Sequence, residues 1–227
     1  MKESTSADTL FWNSSQVISQ FEERPPVQYW REVLEKIPGR ETKNALDLGS
    51  GGGRNTELLR SLGFRTFACD LNSGMTQTTR NRILRNFGDN RTMVIQGEMS
   101  ALPFEDQSMD LILSNGVIHN ARTQDELSAT FGEINRVIKG DGSLLLSMFT
   151  ADDVDSESLK PDPSHPIYVT NEGLKMALYS TPELLQMLEG LDILPIAQIE
   201  QYGCVLDVGK RSILRSVFRK KQERDTN

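Results

Sequence analysis

The sequence predicts an α/β fold, with a mostly parallel sheet between layers of helices. Three observations carry that expectation. Short apolar runs alternate with stretches of helical period from Asn44 to Met148. A bare turn, Gly49-Ser50-Gly51-Gly52-Gly53, separates the first run from the helix after it. Polar residues follow later runs, at Asp70 and Asn115, where such a sheet gathers its strand-end loops at one rim.

The elements follow in order. Residues 1 to about 15 are polar and loose. From Ser15 to Ile37 the pattern is helical, interrupted by Pro25 and Pro26, with Tyr29, Trp30, Val33, Leu34 and Ile37 at helical spacing. Strands are expected over Asn44–Leu48, Arg65–Cys69, Met93–Gln96, Met109–Ser114 and Gly142–Met148, with helices over Asn55–Leu62, Ser73–Phe87 and Glu126–Ile138. Residues 151–173 are acidic and proline-rich, a lid or a solvated connection. A helix over Thr181–Leu191 opens with Thr181 as cap and Pro182 at its first position. Two last antiparallel strands, Ile193–Ile199 and Ser212–Val217, flank the connection EQYGCVLDVGK. The expected organisation is a single domain over 1–227. It comprises an N-terminal helical cap (1–43), a core (44–150), a possible lid (151–180) and a C-terminal part of the sheet (181–227).

Composition narrows the function classes. Of 227 residues, 37% are apolar and 25% charged, as in a soluble globular protein, and the formal net charge is -7. That balance does not favour nucleic acid or an anionic membrane as partner. Cys69 and Cys204 are the only cysteines, which fits a reducing cytosol better than a disulfide scaffold. The N-terminus does not read as a signal peptide, and no apolar run reaches the length of a membrane span. Neither the His and Cys spacing nor any convergent carboxylate set points to a metal.

The glycine turn lies between a strand and a helix whose first N–H groups are free to meet a ligand. Two phosphate motifs fit it poorly. A dinucleotide fingerprint counted from Gly49 would place its last glycine at residue 54, which is Arg54, and a P-loop would need a lysine that is absent. Asp70 closes the next strand, 23 residues after Asp47, where a carboxylate can accept from a ribose diol or cap a helix.

The motifs ALDLGSGGGRNT, FACDLNSGM, GEMSALPFEDQSMDLILSNGVIHN and EINRVIKGDGSLLLS stand in that order over Ala45–Met148. In sequence and spacing they resemble the class I S-adenosylmethionine-dependent methyltransferases, type-11-like. The resemblance implies a three-layer, Rossmann-like sandwich with a seven-stranded, mostly parallel sheet and an antiparallel C-terminal strand. Its cofactor would be S-adenosylmethionine, which carries no phosphate. Asp47 would hold the methionine ammonium. Gly49, Ser50 and Gly51 would lie against the amino-acid and ribose parts, with Gly53 and Asn55 at the turn into the helix. Asp70 would bind the ribose hydroxyls, and Leu71, Met75 and Met99 would pack by the adenine. Glu98 would meet the adenine amino group, and Ser114 and Asn115 would border the sulfonium and methyl. Glu133 and Arg136 resemble family positions with a helix-packing role. One charge match is independent of the family: two carboxylates repel a pyrophosphate and suit an ammonium, a sulfonium and a diol.

The expected function is in-line methyl transfer to a small-molecule acceptor in the cytoplasm, giving S-adenosylhomocysteine. His119, just beyond the fourth strand, is the candidate base and a substrate contact; the alternative is a role in shaping the pocket. His165 reads as a surface histidine unless its segment is a lid. Tyr29, Trp30, Tyr168 and Tyr179 are aromatic liners of the acceptor pocket or parts of the core. The runner-up is an RNA (tRNA) methyltransferase. SNGVIHNARTQDEL resembles part of some wobble-uridine methyltransferases, and Arg211, Arg215, Arg219, Lys220 and Lys221 offer basic charge. A catalytically inactive cofactor-binding module and a nicotinamide oxidoreductase are further alternatives. The acceptor, the methylated atom and the oligomeric state stay open at this level.

Overall fold

Apolar strands buried on both faces need helices to cover them, and the chain supplies those helices between the strands. The structure is a computed structural model that describes residues 11–89, 91–164, 166–206 and 209–222. The architecture is an α/β, Rossmann-like sandwich with a mixed, mostly parallel sheet and flanking helices. The chain forms two compact units, one ending at Met99 and the other beginning at Ser100.

In the first unit, α1 (Ser15–Glu23) and α2 (Gln28–Leu34) flank Pro25 and Pro26. Proline cannot continue a helix, and the break falls where the sequence places it. The side chain of Ser14 caps α1 by accepting from Val17 N at 3.3 Å. The end of α2 is closed from outside: Arg40 donates to the carbonyls of Glu35 at 2.6 Å and Ile37 at 3.1 Å. Strands β1 (Asn44–Leu48), β2 (Arg65–Asp70) and β3 (Met93–Gln96) run parallel, with β2 in the middle. They are joined by α3 (Arg54–Ser61) and α4 (Ser73–Phe87). Asn72 caps α4 and Gly88 ends it in the left-handed region at φ 68°. Trp30 and Leu34 are wholly buried, so this face of α2 is core. Trp30, proposed from sequence as an acceptor contact or core residue, therefore has no surface to offer a ligand.

In the second unit, β4 (Met109–Asn115) pairs in parallel with β5 (Ile138–Thr150), connected by α5 (Gln124–Val137). β5 begins earlier than its apolar pattern suggests. It carries Gly140-Asp141-Gly142 as an irregularity, with Asp141 at φ 63°. The segment expected to be a lid or a solvated connection holds a three-stranded antiparallel sheet: β6 (Leu159–Pro161), β7 (Ile167–Thr170) and β8 (Lys175–Ala177). Leu159, Met176 and Leu178 form its core, with Phe149, Val154 and Tyr168 packed on it. Helix α6 (Thr181–Glu189) is preceded by Ser180, not capped by Thr181 as expected. The N–H and hydroxyl of Ser180 both donate to Glu183, at 2.8 and 2.6 Å, while Thr181 is taken by Asp152.

The chain ends in β9 (Ile193–Pro195), β10 (Glu200–Leu206) and β11 (Gly209–Lys220). β11 is antiparallel to β5, β9 and β10. Much of the expected connection is thus itself a strand. It lies at the edge of the sheet and is exposed on both faces, at Tyr202 on one and Val205 on the other, so its sequence has no alternation to show.

Replacing Trp30 by Ala should cost about 3–5 kcal/mol of stability, read by urea denaturation. A loss below 1 kcal/mol would refute its place in the core.

Candidate cofactor site

Below the glycine turn, β1 delivers Asp47 into the interior, where it is 1% exposed. Its Oδ2 accepts from the Thr56 hydroxyl, one turn into α3, at 2.6 Å. Its Oδ1 is buried and has no hydrogen-bond partner among the described residues, and the same holds for Oδ1 of Asn55. Burial pushes the Asp47 carboxyl up to about 6, against the opposing pull of the Thr56 bond and the Arg54 charge; the nearby Asp70 adds to the rise.

The turn itself is fixed by backbone bonds. Gly49 N and Ser50 N both donate to the Cys69 carbonyl, at 2.8 and 3.1 Å, and Gly53 N donates to Ser50 O at 2.8 Å. Thr79 of α4 donates to Gly51 O at 2.8 Å. Gly49, Gly51 and Gly53 take φ of 74°, 51° and 81°, which accounts for their alternation. Gly52 serves a different need. A Cβ there would lie 2.2 Å from the Phe21 carbonyl oxygen, so α1 rests directly on the turn. Arg82 holds α1 in place by donating to the carbonyls of Glu22 at 2.9 Å and Arg24 at 3.1 Å, and it pairs with Glu57.

Asp70 sits at the end of β2 with one carboxylate oxygen accepting from Gly51 N at 2.8 Å and the other from Asn72 N at 2.9 Å. Burial raises its pKa, and these two N–H groups oppose the rise. The helix cap is Asn72, which accepts from Met75 N at 3.0 Å. Each Asp70 oxygen retains a lone pair for a further donor. Beyond it Leu71 is 55% exposed, a large apolar side chain facing solvent, while Met75 is buried. Glu98 is exposed and Met99 half-buried. The first unit therefore brings Asp47, Ser50, Gly51, Gly53 and Asn55 to the foot of the glycine turn, with Asp70 bonded to that turn. Sequence reasoning missed Thr56, Thr79, Gly52 and Phe21. Only Gly52, the glycine outside the alternation, carried a signal.

In the second unit, Ser114 is wholly buried with its hydroxyl unpartnered among the described residues, and Asn115 ends β4 half-buried. His119 lies in a short 3-10 turn, Ile118–Asn120, and is 3% exposed. Its Nδ1 accepts from Phe149 N at 3.1 Å, and its ring stacks on Phe149 at 4.0 Å. Burial, followed by the Arg211 charge, pushes the imidazole down to about 3. The ring is neutral at pH 7, with its proton on Nε2, and the Nδ1 lone pair is already used. Such a group donates from Nε2 and holds a backbone N–H; it is poorly equipped to accept a proton.

Of the aromatic liners, Tyr29 is half-buried with its ring edge-on to Trp30 at 4.8 Å, and Tyr168 packs on the small sheet. Tyr179 is 9% exposed. His165 lies outside the described residues. Of the basic residues near the C-terminus, Arg219 and Lys221 are exposed and the others are buried or half-buried. Arg211 and Lys220 are buried, Arg215 pairs with Glu200, and Lys221 pairs with Asp192. Among the described residues, no helix is long and apolar enough to cross a membrane.

Residues 46–146 match the methyltransferase-domain family Methyltransf_11. A demethylmenaquinone methyltransferase of Thermobifida fusca (strain YX) is 30% identical over 126 residues, covering 54% of this chain and 51% of the relative. A malonyl-[acyl-carrier protein] O-methyltransferase of Methylovorus sp. (strain MP688) is 32% identical over 133 residues, covering 54% and 44%. The chain spans about half the length of the curated relatives it matches. In fold it resembles the Burkholderia thailandensis 1,6-didemethyltoxoflavin-N1-methyltransferase, solved with S-adenosylhomocysteine and 1,6-didemethyltoxoflavin. That likeness has a TM-score of 0.66 and 20% identity, over 96% of this chain and 85% of that one.

Fold and family match together show what the chain is similar to over residues 46–146: the Rossmann-fold, class I S-adenosylmethionine-dependent methyltransferases. Within that class the match is to the type-11-like superfamily, over residues 46–146.

The buried Asp47 gives a stability test. Its native pKa of about 6 exceeds the ordinary 3.8, so the charged form is penalised in the folded state above pH 6. The penalty shrinks as pH falls from 6 towards 3.8 and is gone below that. Asp47→Asn should therefore stabilise the ligand-free protein by about 2–3 kcal/mol at pH 8 and by almost nothing at pH 3.5. Urea denaturation at the two pH values checks this, and an equal effect at both would refute it.

Proposed function

We propose that this chain is an enzyme that moves the methyl group of S-adenosylmethionine to a small-molecule acceptor, leaving S-adenosylhomocysteine. The observation that carries the reading is the pair of buried, unpartnered acceptors, Asp47 Oδ1 and Asn55 Oδ1, under a glycine turn bonded to Asp70. Buried oxygens without donors are costly, and an ammonium supplies the donors and the charge they lack. A phosphate would meet repulsion from the Asp47 and Asp70 carboxylates instead. The residues present thus fit a ligand with an amine, a diol and no phosphate.

When bound, the cofactor supplies an electrophilic methyl group on a sulfonium. The chain's part is binding, orientation and exclusion of water. Asp47 holds the ammonium with Asn55 beside it. Gly49, Ser50, Gly51 and Gly53 leave room along the backbone. Asp70 accepts from the ribose hydroxyls while its other bonds keep the turn rigid. Leu71, Met75 and Met99 take the adenine, Glu98 meets its amino group, and Ser114 and Asn115 border the methyl-bearing end. Residues 1–227 act as one methyltransferase domain. In it, 1–43 caps the cofactor-binding core (44–150) and 151–180, with Tyr29, Tyr168 and Tyr179, serves the acceptor.

His119 acts here by holding Phe149 and donating from Nε2, so the reaction does not depend on its basicity. That favours an acceptor that is nucleophilic without losing a proton to the enzyme first, such as a stabilised carbanion or a thiolate. The relatives named for demethylmenaquinone, a malonyl carrier protein and didemethyltoxoflavin support acceptors that are small or carry a small reacting group. Burial and pairing of most of the C-terminal cations count against an RNA surface. The proposed setting is cytoplasmic.

Calorimetry should show S-adenosylhomocysteine binding that tightens as pH rises through about 6, where Asp47 ionises to meet the ammonium, and levels off above pH 7. Asp70→Ala should weaken it by roughly tenfold or more. Absence of binding by folded protein would overturn the reading. With labelled cofactor and fractionated cell extract, label should enter metabolites; entry into RNA alone would replace the small-molecule acceptor by tRNA or another RNA.

A further inference from the structure

The chain between β3 and β4 has no regular structure, yet just after Gly97 it carries Glu98 and Met99, two of the four residues assigned to the adenine. Glu98 is exposed and Met99 half-buried, so neither is fixed by its own packing. A few residues on, the loop is held from α5 by two side chains. Arg136 donates through Nε and Nη2 to the two oxygens of Glu133, both at 2.7 Å, in a fork-to-fork pair. Its remaining protons go to the loop: Nη2 to Leu102 O at 2.9 Å, Nη1 to Phe104 O at 2.8 Å, and Nη1 to Asp106 Oδ1 at 2.7 Å. All five guanidinium donors are thereby used. Glu133 Oε2 in turn accepts from Leu102 N at 2.6 Å, and the backbone carbonyl of Arg136 accepts from Gln107 N at 2.8 Å. Leu102 thus has both its backbone N–H and its carbonyl held by one ion pair, with its side chain buried.

The arrangement is more specific than a surface ion pair. Glu133 is held below the usual carboxylate range, mainly by the Arg136 bond, and Arg136 is raised, mainly by the Glu133 bond. A lysine could supply neither the planar fork nor five donors. Three backbone groups of one short loop segment, Leu102 N, Leu102 O and Phe104 O, converge on this pair.

We propose that Glu133 and Arg136 are positioning residues for cofactor recognition: they clamp the loop at Leu102–Asp106 and so fix Glu98 and Met99 for the adenine. The proposal rests on the methyltransferase reading above. Without the clamp, the segment from Glu98 to Ala101 would have to be ordered by the ligand, at the cost of binding energy. The resemblance gave these two positions only a helix-packing role, whereas the bonds run outward from the helix to the loop.

The test compares wild type, Arg136→Lys and Glu133→Gln, each checked for an intact thermal transition. Calorimetry is run with S-adenosylhomocysteine and with its inosine counterpart, which lacks the adenine amino group. Wild type should prefer the adenine ligand. In either variant its affinity for that ligand should fall roughly tenfold, and the preference over the inosine ligand should shrink towards one. With labelled methyl transfer, the loss should appear in KM for the cofactor far more than in kcat. A purely structural pair would lower the thermal midpoint and leave the adenine preference unchanged, and that result overturns the clamp alone. If Arg136→Lys fails to fold, Glu133→Gln decides, since it keeps the side-chain shape while removing the charge and one of the two oxygens that receive Arg136 and Leu102 N. Wild type that binds neither ligand overturns the clamp and the methyltransferase reading together.

Discussion

A carboxylate sealed in the interior with half of its bonding capacity unused is the constraint around which the first unit is built. Asp47 satisfies one oxygen through Thr56 and leaves the other without a donor among the described residues. A soluble protein seldom tolerates that unless something else completes the site. The neighbouring pieces follow from it. The strand that buries Asp47 has to leave the sheet at once, and the glycines allow the turn. The turn needs an anchor, and the second carboxylate, on Asp70, provides it through Gly51 N. Two acids and a turn free of side chains make a cleft selective for a positively charged, hydroxyl-rich molecule over a phosphate.

Much of this was legible in the sequence because it depends on local pattern. The bounds of β1, α4 and β3 coincide with the apolar periods that predict them, since each is flanked by residues that end such elements: Leu48 by glycine, Phe87 by Gly88, Gln96 by Gly97. The glycine turn and Asp70 could be found for the same reason. What stayed hidden depends on contacts distant in sequence. The strands β6, β7 and β8 are three or four residues long, too short for an alternation to stand out among prolines. Thr181 looks like a cap, but Asp152 takes its N–H and hydroxyl from 29 residues away, and Ser180 is left to start the helix. His119 looked available because its position along the chain was right; only the packing shows Phe149 N on its ring nitrogen.

The same distinction governs the cations. Counted along the chain, the basic residues near the C-terminus suggest a surface for phosphates. In the fold, alternate residues of β11 turn inwards, and Lys220 ends on the carbonyl of Asn135 at 2.7 Å. A charge committed to closing the C-terminal end of a helix contributes to stability and is lost to recognition. The arginines of α4 and α5 are committed likewise, Arg82 to the last carbonyls of α1 and Arg136 to the loop before β4.

The contact between Phe21 and Gly52 has an implication for comparing sequences. A side chain at position 52 and a helix lying this close to the turn exclude one another, because the space for one is occupied by the carbonyl of the other. The bare residue at 52 is therefore a marker of what precedes the sheet, independent of what the sheet binds. Among chains with the same glycine alternation, those bearing a larger residue there must carry their leading helix higher or do without it. A single letter inside the motif thus reports on architecture some thirty residues upstream.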